Sequence, residues 1–258
     1  MPAYAGAHAD RVQRARELLA TKGRREQSRF TFEGPTLLEE AVQSDVAIEE
    51  IYATEAVFAQ NPMLQQLESR GVDVALVDDR TARKLSDLDT PTGLVAVTAT
   101  RYASIAEILD SPLSLILADL NDPGNAGTLL RSAEAFGAGG IIFGRFGVDP
   151  YHPKVVRGAM GAIFRLKIAV ASPEDVESVA GKSAATLLGL TAGGEPLSQA
   201  AFPQPTALVV GHERHGLGPW ERLCRRHLAI PMRGPTESLN AAVAGSIALY
   251  EASRQAGR

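Results

Sequence analysis

The stretch from Leu113 to Phe143 constrains the fold more than any other part of the chain. An apolar run from Leu113 to Ala118 is followed by a short segment of Asn, Asp, Pro and Gly, an Ala- and Leu-rich stretch, and a second apolar run. Such runs bounded by turn residues are typical of strands covered on both faces. We predict a strand, a loop, a helix and a second strand. Asn125 is predicted to cap the helix, which leaves Arg131 as an isolated charge within it.

The same alternation of strand and helix patterns extends along the chain on both sides of this stretch. Before it, we predict strands at 48–53, 72–77 and 94–98 and helices near 36–43, 63–70 and 81–87. After it, we predict helices near 154–163, from 172 and near 239–250, with strands at 165–170, 185–190 and 207–210. Alternation of this kind is typical of α/β domains. We predict a basic N-terminal arm (1–29), a small α/β domain (30–103) and a parallel-sheet α/β domain (104–258).

Composition narrows the class of protein. The chain has 258 residues, a net charge of −4 and one cysteine, so neither an overall basic field nor an internal disulfide framework is expected. No apolar run is long enough to span a bilayer, and we expect a soluble, cytoplasmic protein with no membrane partner. Residues 10–29 carry seven Lys or Arg against three acids. This segment is either a solvated helix surface or a phosphate-binding arm.

Three loops follow predicted strands and carry more Gly, Asn or charge than a connection needs: 121–127, 211–218 and 230–240. Ligands of parallel α/β sheets bind at the carboxyl ends of the strands. We therefore predict the functional site at these loops. The final helix is rich in Ala and Gly, and we expect its face to pack against another helix or a partner subunit.

Other sites suggested by these loops are weaker. The spacing of Gly211 and Gly216 matches a phosphate-binding loop, but Leu217 and Gly218 stand where Lys and Ser or Thr would contact phosphate and magnesium. No G-x-G-x-x-G follows a strand. Four residues have types and spacings that suit zinc, although such pairs arise easily by chance and we predict no metal: His212, His215, Cys224 and His227.

The three loops carry motifs in a fixed order. The first is N-x-G-x-x-x-R followed by A-x-x-F-G, at Asn125, Gly127, Arg131, Ala133, Phe136 and Gly137. The second is G-x-E-x-x-G-L, at Gly211, Glu213, Gly216 and Leu217. The third is I-P-M-x-G-x-x-x-S-L-N, from Ile230 to Asn240. In order and spacing they resemble the SpoU or TrmH family of RNA 2′-O-ribose methyltransferases, of the SPOUT class.

This resemblance implies a fold, a cofactor and an assembly. The C-terminal domain is expected to form a trefoil knot, to bind S-adenosylmethionine and to act as a homodimer, preceded by a ribosomal-protein-like substrate-binding domain over 28–98. The backbone of Gly211, Ile230 and Leu239 is expected to hold the cofactor. The side chains expected to line its pocket are Leu190, Leu217 and Met232.

The implied chemistry is methyl transfer to a ribose 2′-hydroxyl, a poor nucleophile until its proton is removed. The resemblance makes Arg131 the candidate base, yet a guanidinium is essentially always protonated. Two versions remain open. Either a neighbouring RNA phosphate and a second subunit turn Arg131 into a base, or Arg131 binds phosphate and the proton of the 2′-hydroxyl leaves by another route. Asn125 and Asn240 are expected to position Arg131 and the ribose, and Glu213 to orient the site. Ser238 is expected to hold the loop or the substrate backbone, or to cap the final helix.

The sequence does not identify the nucleotide. We expect RNA as the partner, with ribosomal RNA ahead of transfer RNA because a separate domain and a basic arm suit a large folded substrate. Two alternatives remain: a non-catalytic RNA-binding module of the same fold, and a generic nucleotide-binding α/β enzyme.

Overall fold

A computed structural model describes residues 2–212, 215–234 and 238–256. The chain divides into two compact units. The first consists of the residues up to Thr100 together with Tyr151–Phe164, and the second of Arg101–Pro150 together with the residues from Arg165 onward. The predicted boundary near residue 103 lies close to this division. The prediction of one continuous domain over 104–258 differs from the structure, because Tyr151–Phe164 packs with the first unit.

The first hundred residues form the following elements: β1 (Ala3–Tyr4), α1 (Asp10–Glu17), α2 (Thr21–Gln27), β2 (Arg29–Glu33), α3 (Pro35–Gln43), β3 (Ile48–Thr54), α4 (Glu55–Gln60), α5 (Pro62–Ser69), β4 (Asp73–Val77), α6 (Asp79–Leu85) and β5 (Leu94–Ala99). Their five strands form one mixed sheet in the order β1-β4-β3-β5-β2. The pairs β1/β4 and β4/β3 are parallel, and β3/β5 and β5/β2 are antiparallel. The predicted alternation is observed here, although two strands and three helices were not predicted as elements: β1, β2, α1, α2 and α4.

Aromatic packing attaches the later segment to this unit. The ring of Tyr151 lies 4.5 Å from that of Phe30, and the ring of Phe164 lies edge-on to Phe32 at 5.2 Å, measured between centroids. Phe30 and Phe32 are both on β2 and are buried. Contacts between distant parts of a chain are not encoded in local periodicity. The sequence pattern therefore did not indicate that Tyr151–Phe164 belongs to the first unit.

The basic arm contains two kinds of arginine. Arg24 is buried and its Nη1 donates hydrogen bonds to the carbonyls of Leu18 and Leu19 at 2.7 and 3.0 Å, which caps the C-terminal end of α1. Arg11 pairs with Asp73 of β4, and Arg29 pairs with glutamates of β3. These three arginines are structural. Three others are exposed and pair with no residue that the structure describes, and we call them the free arm arginines: Arg14, Arg16 and Arg25.

The rest of the chain forms these elements: α7 (Ile105–Leu109), β6 (Leu113–Leu117), α8 (Pro123–Ala135), β7 (Gly140–Gly144), α9 (Pro153–Ala159), α10 (Ala162–Arg165), β8 (Lys167–Ala171), α11 (Pro173–Ala180), β9 (Thr186–Pro196), β10 (Thr206–Val210), a 3₁₀ helix (Gly218–Leu223), β11 (Arg226–Ala229) and α12 (Ala241–Ala256). The predicted helix over 154–163 is interrupted at Met160, whose φ of 52° lies in the left-handed region. The helix predicted from residue 172 begins at Pro173, and Ser172 and Asp175 form a capping box at its start.

Six strands of the second unit form one sheet in the order β11-β9-β10-β6-β7-β8, and every pair is parallel. All residues of the central strands β6 and β10 are buried, as expected for a sheet covered on both faces. Helix α12 packs against α8, where Gly245 lies against Leu129. The α/β class and the parallel sheet are as predicted. The trefoil knot stays a prediction from the resemblance.

Candidate functional site

The middle of β9 and the carboxyl ends of its two neighbours, β10 and β11, line a pocket of about 270 Å³. The pocket is lined by Leu190 in β9, by Gly211 directly after β10, and by Ile230 directly after β11. Three further residues of the third motif line it as well: Met232, Ser238 and Leu239. Five of the six residues predicted for cofactor binding therefore lie around one cavity, together with Ser238 from the predicted catalytic group.

Leu217 differs from its prediction. Its side chain is 3% exposed and belongs to the core of the second unit, with Trp220 in the same cluster. A Cβ atom at Gly189 would lie 2.5 Å from Leu217 Cδ1, so the side chain packs closely onto β9. Leu217 anchors the loop to the core and is not among the residues that line the pocket.

The second motif forms a narrow loop that leaves no space at Gly211. A Cβ atom there would lie 2.2 Å from the carbonyl oxygen of Gly216 and 2.8 Å from the backbone nitrogen of Leu217. Two backbone hydrogen bonds between His212 and Gly216, each of 2.9 Å, close the loop. His212 and Gly216 also line the pocket. Glu213, predicted to orient the site, lies outside the described residues.

The first and third motifs are joined by their asparagines. Asn240 Nδ2 donates a hydrogen bond of 2.8 Å to Asn125 Oδ1. Asn240 Oδ1 accepts hydrogen bonds from the backbone nitrogens of Ala242 and Val243, at 2.9 and 3.2 Å. Asn240 therefore holds the start of α12 through its oxygen and Asn125 through its nitrogen. The capping role considered for Ser238 belongs to Asn240.

Two predictions about Asn125 need correction. The side chain that caps α8 is that of Asp122, which accepts a 2.7 Å hydrogen bond from the nitrogen of Asn125, because the helix begins at Pro123, three residues earlier than expected. This leaves the Asn125 amide for Asn240. Asn125 and Arg131 lie six residues apart on α8, and only residues three or four apart are neighbours on a helix surface. Asn125 therefore does not position Arg131 directly.

Arg131 lies on the exposed surface of α8, about 9 Å along the helix axis from Asn125. Its guanidinium makes no hydrogen bond or ion pair with any residue of 2–212, 215–234 or 238–256. The neighbouring Ser132 hydroxyl contacts the Ser246 hydroxyl of α12 at 2.7 Å. Helix packing thus fixes the backbone at Arg131, while its five N–H donors remain available for an anion.

Asp119 connects two loops at this edge of the sheet, and sequence reasoning did not single it out. It follows β6 in a left-handed conformation with a φ of 50°. Its Oδ2 accepts a 2.8 Å hydrogen bond from Nε1 of the buried Trp220, and its Oδ1 accepts one of 3.1 Å from the nitrogen of Phe146. Asp119 therefore ties the second motif loop to the loop after β7. The available signal was a lone tryptophan, since a buried indole N–H requires an acceptor.

Four residues were considered as zinc ligands, and no metal was predicted there: His212, His215, Cys224 and His227. The rings of His212 and His215 lie 4.9 Å apart, and His227 Nε2 lies 3.6 Å from Glu221. Burial raises the pKa of the Cys224 thiol to about 12, so the thiol packs as a neutral group. In the part of the chain that the structure describes, no three His, Cys, Asp or Glu side chains are grouped to hold a metal ion. Within the same residues, no helix combines the length and apolar character needed to cross a membrane.

Comparisons with known proteins give the family. Residues 112–250 match the model of the SpoU rRNA Methylase family, and residues 9–96 match that of the MRM3-like substrate binding domain. An uncharacterized tRNA/rRNA methyltransferase of Synechocystis sp. is 32% identical over 248 residues, which cover 95% of this chain and 90% of that protein.

Two further relatives carry specific names. The 23S rRNA (uridine(2479)-2′-O)-methyltransferase of Streptomyces viridochromogenes is 42% identical over 141 residues, 52% of this chain and 49% of that protein. The match thus spans about half of that relative. The crystal structure of an AdoMet-bound rRNA methyltransferase from Sinorhizobium meliloti superimposes with a TM-score of 0.84 at 28% identity, covering 95% of each chain. These findings confirm the resemblance of the three motifs: the chain belongs to the SpoU rRNA methylase family.

Proposed function

We propose that this protein transfers the methyl group of S-adenosylmethionine to the 2′-hydroxyl of a ribose in ribosomal RNA. The observation that carries the proposal is the hydrogen bond between Asn240 and Asn125 beside an apolar pocket. Asn240 stands between Leu239 and Ala241, which both line the pocket. An electrophile in the pocket and a ribose held by the asparagine pair would therefore be close together.

The pocket fits the adenosine part of S-adenosylmethionine. Its lining is mostly aliphatic, its volume is close to the lower end of ligand sites, and the backbone at Gly211 has no side chain between it and the cavity. Leu190 and Met232 would contact the adenine ring, and the backbone of Gly211, Ile230 and Leu239 would hydrogen-bond it. When bound, S-adenosylmethionine supplies a methyl group on a positively charged sulfur.

We assign Arg131 to phosphate binding and not to proton abstraction. A guanidinium is essentially always protonated and is therefore a poor base, and that of Arg131 lies on the exposed surface of α8. It suits bidentate contact with a phosphate of the RNA backbone. Held there, its charge also favours the developing alkoxide of the 2′-hydroxyl. In this version the hydroxyl proton leaves to another acceptor.

The remaining predicted residues have supporting roles in the proposal. Asn125 and Asn240 hold the ribose through their amide groups while joining the first and third motif loops. Ser238 lies in the lining of the pocket, where its hydroxyl would contact the cofactor or the RNA backbone. Glu213 is assigned to orienting the site by the resemblance alone.

A homodimer formed through the C-terminal domain is part of the proposal. Helix α12 exposes three apolar side chains at helical spacing, Val243, Ile247 and Tyr250, with exposed fractions of 47, 38 and 53%. Residues at i, i+4 and i+7 form one stripe along a helix. A second copy that covers this stripe would remove it from water. We expect multi-angle light scattering of the purified protein to give the mass of a dimer.

The first unit is proposed to bind the RNA substrate. Its match to a substrate-binding model and the free arm arginines support this role. Phosphate contacts from exposed arginines give affinity without sequence preference, which suits a large folded RNA. We favour ribosomal RNA over transfer RNA as the substrate, because the relative from Streptomyces viridochromogenes is named as a 23S rRNA 2′-O-methyltransferase. A cytoplasmic location follows from such a substrate.

The proposal is tested with radiolabelled S-adenosylmethionine and three substrates transcribed in vitro, which therefore carry no modifications: 23S rRNA, 16S rRNA and a transfer RNA mixture. We expect label in a ribosomal RNA. Label only in transfer RNA would support the second substrate. Binding of RNA without any transfer would identify a non-catalytic module of the same fold.

A further inference from the structure

The ring of Phe146 is the most exposed large hydrophobic side chain in the part of the chain that the structure describes, with an exposed fraction of 76%. It lies two residues beyond the end of β7, in the second unit. Single exposed apolar residues are ordinary in proteins, so exposure alone indicates nothing. The backbone that carries this ring is the unusual feature.

Phe146 occupies a tightly packed turn. A backbone hydrogen bond of 3.0 Å from Gly147 to Gly144 closes the turn, and the nitrogen of Phe146 donates to Asp119 Oδ1 at 3.1 Å. A Cβ atom at Gly144 would lie 2.3 Å from Asp119 Oδ1, so the turn presses against Asp119 without a side chain between them. The turn backbone is therefore fixed while the phenyl ring points into solvent.

Backbone hydrogen bonds also hold the residues on both sides of Phe146. The nitrogen of Arg145 donates to the carbonyl of Ala171 at 2.8 Å, and the nitrogen of Val148 donates to the carbonyl of Leu120 at 2.8 Å. Each of these acceptors follows or ends a neighbouring strand of the sheet. A ring mounted on such a backbone loses little conformational entropy when it binds a partner.

The turn lies at the same edge of the sheet as the proposed site. Strand β7 pairs with β6 in parallel, so both strands end at this edge. Asp119 is three residues before Asp122, which caps α8, and three residues span at most about 10 Å. Asp119 also holds Trp220 at the end of the second motif loop. One carboxylate thus connects the Phe146 turn to two of the three motif loops.

We propose that Phe146 is a stacking platform for an unpaired base of the RNA substrate, close to the nucleotide that is methylated. This inference rests on the proposed function. Proteins bind single-stranded RNA by stacking its bases on exposed aromatic rings. A phenyl ring has no polar group to bind phosphate, so the base is the part of RNA that it fits. A second copy of the chain is the less favoured occupant, because α12 already offers a larger apolar stripe.

The test compares Phe146→Ala, Phe146→Leu and Phe146→Tyr with the wild-type protein. The measured quantities are the KM for in vitro transcribed 16S and 23S rRNA, the Kd for S-adenosylmethionine and the Tm. The Ala and Leu variants should raise the RNA KM by about 5-fold to 150-fold, the range that corresponds to the loss of one base stack. The Tyr variant should stay close to wild type. The cofactor Kd and the Tm should not change.

Each other outcome identifies what is wrong. An unchanged RNA KM for Phe146→Ala, or full activity of Phe146→Leu, would overturn base stacking. A change of particle mass in light scattering for Phe146→Ala would show that the ring contacts a second copy, which also overturns the inference. If the wild-type protein transfers no methyl group to either RNA, the proposed function itself is wrong and the inference falls with it.

Discussion

The loop at Gly211 permits a quantitative prediction about cofactor binding. In Gly211→Ala, the new methyl group would lie 2.2 Å from the Gly216 oxygen and 2.4 Å from its carbonyl carbon. Both are backbone atoms, so relief requires the loop to open. Opening breaks the two hydrogen bonds between His212 and Gly216. At about 0.5 to 1.5 kcal/mol each, the loss of about 1 to 3 kcal/mol predicts a cofactor Kd that is roughly 5-fold to 150-fold weaker.

Isothermal titration calorimetry with S-adenosylmethionine measures this change, and Gly193→Ala is the matched control. Gly193 lies in β9, and a Cβ atom there would have no other atom within 4 Å. The same added methyl group should therefore leave the Kd unchanged. The Tm of both variants reports whether they fold. A folded Gly211→Ala protein with the wild-type Kd would refute the argument that the closed loop forms part of the cofactor site.

Four further predictions concern Arg131, Asn240, the free arm arginines and Tyr52. Arg131→Ala should abolish methyl transfer while the cofactor Kd stays close to wild type; normal turnover would exclude the assigned role. Asn240→Asp keeps an oxygen for the start of α12 but loses the donor to Asn125, so kcat should fall about two- to tenfold with little change in Tm. Replacement of the free arm arginines by Ala should weaken RNA binding and flatten its dependence on salt, whereas an unchanged slope in filter binding would assign them to solvent. Burial and, second to it, the hydrogen bond to Glu50 raise the pKa of Tyr52 to about 12. Because this value lies above the unfolded value of about 10, the contribution of Tyr52 to the stability of the folded state should be present below pH 10 and lost as the pH rises to about 12. Denaturant titrations of Tyr52→Phe should lack this loss.

The sequence predicted the features that local patterns encode. Apolar runs bounded by turn residues identified β6 and β10, and Ser172 with Asp175 identified the start of α11, because strand burial and helix caps depend on residues close in the chain. Motif order then indicated which loops meet. The family resemblance, which rests on this order, implied a cofactor site at Gly211, Ile230 and Leu239, and these residues line one pocket.

Features that depend on tertiary contacts were missed or misassigned. Asp122 and Asn125 are both good capping residues, and only the position of Pro123 at the first turn decides between them. The family resemblance implied that the side chain of Leu217 lines the pocket, yet this side chain is buried in the core of the second unit.

Tertiary pairing also divides the arm arginines into structural and free ones. The guanidinium groups of the three structural arginines bind carbonyls that follow α1 and carboxylates of β3 and β4, whereas those of the free ones have no partner among the described residues. Composition shows the number of arginines but not their partners.

The position of the transferred methyl group distinguishes methylation of a ribose 2′-hydroxyl from methylation of a base. Ribosomal RNA treated with the protein and S-adenosylmethionine carrying a deuterated methyl group would be digested to nucleosides and analysed by mass spectrometry. We expect one 2′-O-methylated nucleoside that carries the label, and none with Arg131→Ala. Label on a base, or label on a ribose that persists in Arg131→Ala, would contradict it.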